Sequence, residues 1–94
     1  MRLGVPFQEY LKEQLKNKEF RQAYEEEGVY VEVAMQIAHL RTQKRISQKR
    51  LAKLLHTTQQ NISRLENPDN ASCSLRTLVK LAQALGKQLK VQFV

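Results

Sequence analysis

The chain has 94 residues, enough for one domain with a modest core and too few for a catalytic domain with a deep pocket. Hydrophobic residues make up 41% of it, no run of about 18 apolar residues is available to span a bilayer, and the start lacks a basic-then-apolar signal pattern. The net charge of +7 is unevenly divided: residues 1–32 hold five basic and seven acidic residues, residues 33–94 eleven basic and two acidic. A polyanion such as nucleic acid is therefore the natural partner of the second part.

In chain order, Met1 to Pro6 reads as an irregular lead. Phe7 to Lys16 places Phe7, Tyr10, Leu11 and Leu15 at helical spacing. Asn17-Lys18 reads as a break, and Glu19 to Glu27 as a second short helix with Phe20, Ala23 and Tyr24 on one side, closed by Gly28. A longer helix is expected from Tyr30 to Lys44, with Val33, Ile37 and Leu40 on one stripe backed by Ala34 and Ala38. Ser47 suits an N-cap for Gln48 to Leu55, and Thr58 for Gln59 to Leu65, with His56-Thr57 as the turn between them. Leu51, Ala52, Leu55, Ile62 and Leu65 should face inward. Asn67 to Ser72 has loop chemistry. A last helix begins at Cys73 or Ser74, buries Leu78, Leu81, Ala82 and Leu85, and stops at Gly86. The tail from Gln88 alternates Leu89, Val91 and Phe93 with Lys90 and Gln92, a strand pattern. The expected class is all-α, with an N-terminal helical extension over 1–29, a helical domain over 30–87 and a short C-terminal β-strand over 88–94.

Two short helices joined by a tight turn, the second polar on one face, make a helix-turn-helix. The second helix exposes Gln59, Gln60, Asn61, Ser63 and Arg64. Glutamine and asparagine pair in bidentate fashion with adenine, and arginine with guanine, in the major groove. Gln59, Gln60, Asn61 and Arg64 are thus the expected base readers, the first three in the turn that meets base edges in this motif. Gln48 opens the preceding helix, where free backbone N–H groups favour phosphate, and it is placed to brace Gln59. Lys44, Arg45, Lys49 and Arg50 surround it and should supply affinity rather than sequence choice. Ser63 and Asn67 complete the expected phosphate contacts.

The run SQKRLAKLLHTTQQNISRLEN resembles the helix-turn-helix of the lambda-type repressor and Cro (XRE) family, and the likeness extends over roughly Val33 to Leu85. It implies base reading by Gln59, Gln60 and Asn61, a phosphate contact by Gln48, and a structural ion pair between Glu66 and Arg41. Two positions depart from the family, which often has glycine at His56 and near Arg45; both should need a positive φ. The flanks narrow the resemblance. FQEYLKEQLKNKEFRQAYEEE ahead of the motif, with a short hydrophobic tail behind it, resembles HigA-type antitoxins, which bind a RelE-like ribonuclease toxin of HigB type and repress their shared operon. The resemblance implies a toxin-facing surface on the N-terminal helices, with Phe7, Tyr10, Leu11, Phe20 and Tyr24 as candidates and Glu25, Glu26 and Glu27 facing a basic toxin. The alternative is a stand-alone phage-like repressor without a toxin.

An apolar tail invites pairing with a second copy, and a two-fold dimer suits a reader of two half-sites. No clustered carboxylates, and no Ser or Cys with a nearby His, argue for an enzyme. Cys73 is the single cysteine, which excludes an internal disulfide and points to a reducing compartment, expected to be the bacterial cytoplasm. His39 and His56 are isolated, so neither a metal nor a cofactor is expected.

Overall fold

The computed structural model describes residues 4–67, 69 and 73–94. Among them are five helices and no strand: α1 (Phe7–Gln14), α2 (Lys18–Gln43), α3 (Gln48–Leu54), α4 (Gln59–Leu65) and α5 (Leu75–Ala84). Four begin on a side chain suited to the task. Asn17, Ser47, Thr58 and Ser74 accept hydrogen bonds from the backbone N–H groups of Phe20, Arg50, Asn61 and Thr77. Each satisfies a donor that the first helical turn leaves without a partner, an effect of about 1 kcal/mol.

Three helices end in the same way. After α2, α3 and α5 the chain turns left-handed at Arg45 (φ 59°), His56 (φ 55°) and Gly86 (φ 69°). The following amides fold back: Ile46 N–H to Arg41 O, Thr57 N–H to Ala52 O and Lys87 N–H to Ala82 O. This is the Schellman closure, which pairs carbonyls a helix end would otherwise strand. The positive φ expected at Arg45 and His56 is present in full.

The main core lies between α2, α3, α4 and α5. Leu51 and Ile62 are fully buried, with Ile37, Ala52, Leu65, Leu81 and Leu85 around them. Burying side chains of this size stabilises by roughly 1.5–3 kcal/mol each. A second cluster joins Leu11 of α1 to Val31 and Met35 of α2, packed by Phe7, Tyr10, Phe20 and Tyr24. The N-terminal lead is latched on the same side. His39 is 4% exposed and its Nε2–H donates to the Val5 carbonyl at 2.7 Å, with the rings of Phe7 and Tyr10 beside it.

Two expectations are adjusted. The break expected between two helices at Gly28 is present, but as a kink at Glu27 (φ −135°, ψ 42°) that divides α2 into two helical segments. The left-handed glycine stop expected at Gly28 is not formed, since its φ is not positive. Tyr24 Oη–H donates to Glu32 Oε2 at 3.1 Å across the bend. Burial, then the bond to Glu32 and its charge, push that phenol above its ordinary range. The C-terminal β-strand is also not formed: residues 87–94 are irregular. A strand draws its hydrogen bonds from a neighbouring strand, and the described residues contain none. Of the loop expected over 67–72, Asn67 Oδ1 accepts the Asp69 N–H at 2.9 Å, as a turn residue does; positions 68 and 70–72 lie outside the described residues.

Candidate nucleic-acid interface

The interface is built on the packing of α3 against α4. Leu51 and Ala52 of α3 and Ile62 and Leu65 of α4 are buried, so the remaining faces of both helices are set rigidly relative to each other. A helix of period 3.6 that buries positions 62 and 65 turns 59, 60, 63 and 64 toward water. Gln59, Gln60, Ser63 and Arg64 are all exposed. Lys44, Arg45, Lys49, Arg50 and Asn67 are exposed as well, while Gln48 and Asn61 are half-buried. The structure thus presents most of the expected DNA-contacting residues at the surface, on and beside the α3–α4 pair. Lys44 leans elsewhere: its ammonium lies beside Gly86 at the end of α5, 3.5 Å from where a Cβ would stand.

A buried polar node holds this unit together. Arg41 of α2 donates from Nε to Glu66 Oε2 at 2.7 Å and from Nη2 to Glu66 Oε1 at 3.0 Å. Its Nη1 donates to the Ile46 carbonyl at 2.8 Å, which ties down the connection into α3. Gln48 completes the node, donating from Nε2 to Glu66 Oε1 at 3.1 Å. One carboxylate therefore fastens α2 and the first residue of α3 to the end of α4. Gln48, expected to brace Gln59, donates to Glu66 instead. The two residues are 18 positions apart, and no local spacing signals the contact.

The chain belongs to the helix-turn-helix domain family. Residues 12–93 match that family's profile, described as "Helix-turn-helix domain", so the match takes in α2 to α5 and most of the tail. It is a DNA-binding fold of the XRE type. Neither a curated protein nor a solved structure matches the chain. In this helix-turn-helix protein the turn is His56-Thr57, and both threonines ahead of α4 act on one residue. Thr58 accepts the Asn61 backbone N–H at 3.1 Å, and Thr57 Oγ1 accepts from Asn61 Nδ2 at 3.0 Å. Asn61 Oδ1 in turn accepts from Arg64 Nη2 at 2.8 Å. Thr57 escaped the sequence reading. Its only local signal is the four-residue spacing to Asn61, which puts them on one face if the helical path is extended backward.

The candidate toxin-contact residues belong to the second cluster. Leu11 is buried at 6% exposure. Phe7, Tyr10, Phe20 and Tyr24 are half-buried against Leu11, Val31 and Met35, with the Phe20 and Tyr24 rings stacked 6.3 Å apart. Glu25, Glu26 and Glu27 are exposed. Cys73 is a free, half-buried thiol whose pKa burial raises. Among the described residues no His, Cys, Asp and Glu cluster is arranged to hold a metal, and no helix is long and apolar enough to cross a membrane.

Proposed function

We propose that the chain is a sequence-specific, double-stranded-DNA-binding repressor of the HigA antitoxin kind, which neutralises a RelE-like ribonuclease toxin and represses its own operon. The observation that carries the DNA-reading part is the α4 surface. Gln59, Gln60 and Arg64 stand exposed on a short helix whose opposite face is locked in the core. In this reading α4 enters the major groove and these three meet base edges. Gln48, Lys49, Lys44, Arg45, Ser63 and Asn67 contact phosphates and set register. The positive excess of residues 33–94 supplies the salt-dependent part of the affinity.

Two copies read two half-sites about 34 Å apart. The surface available for their contact is apolar. A groove of about 290 Å³ runs between α2 and α5 past Val33, Leu78 and Leu85 to Leu89, and beyond it Val91 and Phe93 stand exposed. Reciprocal burial of such side chains is the ordinary driving force of a homodimer.

The toxin-binding part rests on the HigA-like flank. The acidic stretch Glu25 to Glu27 suits a basic RNA-cleaving partner. One observation favours the alternative, a stand-alone repressor: the N-terminal aromatics pack on the chain's own Leu11, Val31 and Met35. The test has two arms. Selection of sites from a random duplex library should enrich one two-fold sequence, and Gln59→Ala should relax preference at one position by about 1–3 kcal/mol; unchanged preference would refute the base-reading role. Where a small basic protein is encoded beside the chain's gene, co-expression of the two should give a stable complex. Repression without any such complex would leave the stand-alone repressor.

A further inference from the structure

We propose that Asn61 reads no base itself and instead holds Arg64 in its base-reading geometry, through a relay that starts at the Thr57 hydroxyl. This rests on the reading of α4 as the groove-entering helix.

Hydrogen-bond chemistry fixes the relay's direction. A guanidinium only donates, so the atom of Asn61 facing Arg64 Nη2 at 2.8 Å must be the carboxamide oxygen. The amide nitrogen therefore faces Thr57 Oγ1, at 3.0 Å. Both ends of the carboxamide are engaged within the chain. Each end keeps one further N–H or lone pair, but the two internal bonds fix the plane of the carboxamide, and a bidentate contact to adenine needs that plane free to turn to the base edge. Asn61 is also half-buried, while Gln59, Gln60, Ser63 and Arg64 around it are exposed. Its backbone is fixed as well, by the Thr58 cap. Thr57 is fixed in turn, since its amide closes the α3 terminus on Ala52 O at 2.9 Å. The relay thus runs from a closed helix end, through one carboxamide, to an exposed cation.

The consequence is specificity. An arginine free to swing reaches a phosphate when its cognate base is replaced, which softens the penalty for the wrong sequence. An arginine held in place is left desolvated opposite the wrong base, and the full cost of the lost pair is felt. Ordering Arg64 before the encounter also lowers the entropy lost on the correct site.

The experiment is site selection from a random duplex library, followed by affinity measurement on the selected site and all its single-base variants. Wild type, Asn61→Ala, Thr57→Val, Thr57→Ser, Arg64→Ala and the Asn61→Ala/Arg64→Ala pair are compared, with thermal melts to establish that each is folded. Asn61→Ala should lower discrimination by roughly 2- to 12-fold, the equivalent of about 0.5–1.5 kcal/mol, at the same base pair that Arg64→Ala flattens. Added to Arg64→Ala it should do nothing more. Thr57→Val should produce the same loss in weaker form, and Thr57→Ser, which keeps the hydroxyl, should not. If Asn61→Ala flattens a different base pair, or its effect adds fully to that of Arg64→Ala, Asn61 reads a base directly and the relay is refuted. Equal behaviour of the Val and Ser variants removes Thr57 from it and refutes the relay as stated. A wild-type chain that enriches no sequence overturns the DNA reading, and the relay with it.

Discussion

Replacing Glu66 with alanine removes a single carboxylate and strands donors on two other elements. In the folded chain the Glu66 side chain is 7% exposed and that of Arg41 17%, so the pair is largely desolvated. Deleting one member of such a pair costs about 3–5 kcal/mol, because the surviving charge keeps its desolvation penalty without its partner. Two features place the expectation at the lower end, at about 3 kcal/mol. Arg41 retains some access to water, and its Nη1 still reaches the Ile46 carbonyl at 2.8 Å. In a domain of this size each kcal/mol moves the melting temperature by about 4–8 °C, so the expected fall is roughly 12–24 °C. Urea titration and calorimetry on wild type, Glu66→Ala and Arg41→Met/Glu66→Leu measure it. The double variant leaves no charge behind and should recover most of the loss, as apolar replacement of buried pairs commonly does. Glu66→Ala should also weaken DNA binding at temperatures where it is still folded, since Gln48 loses its brace. A Glu66→Ala chain within about 1 kcal/mol of wild type would show the pair behaving as a surface contact. A double variant no more stable than Glu66→Ala would show that the cost does not come from a stranded charge. Either result refutes the reasoning.

His56→Gly should raise stability by about 0.5–1 kcal/mol. It relieves a left-handed residue of a cost of about 1–2 kcal/mol, offset in part by the greater freedom of glycine in the unfolded chain. His56 is exposed, so little packing is lost; a lower melting temperature would contradict the assignment of strain. Lys49→Ala should leave the preferred DNA sequence unchanged and reduce the slope of log affinity against log salt by about 1. A shift in base preference would show that Lys49 reaches a base. Cys73 should alkylate more slowly than free cysteine at pH about 7.5. Its pKa is raised by burial, so less of it is the reactive thiolate; a faster rate would point to an environment that favours the anion.

Local features were legible without any structure. The caps at Ser47, Thr58 and Ser74 act within three residues of themselves. The strained turns at Arg45 and His56 showed as missing glycines. The inward positions Leu51, Ile62 and Leu65 follow from helical period alone, as do the outward positions Gln59, Gln60, Ser63 and Arg64; Asn61, expected among them, is half-buried. Other features were not legible. The break expected at Gly28 is present, but it falls one residue earlier, at Glu27. Nothing near Gly28 tells whether the segments beside it will share a core, as Leu11, Val31 and Met35 do. The tail alternates like a strand, but alternation describes the two faces of a segment and supplies no neighbour to bond with.

The order of residues by itself determined the helical segments between Phe7 and Leu85, the helix-turn-helix and its exposed polar face, because capping, periodicity and turn chemistry operate over a few residues. Only the tertiary structure decided which polar groups meet. Glu66 gathers Arg41 and Gln48 from 25 and 18 positions away. A side chain's hydrogen-bond partner depends on where packing brings other groups, and that distance is not written in sequence separation.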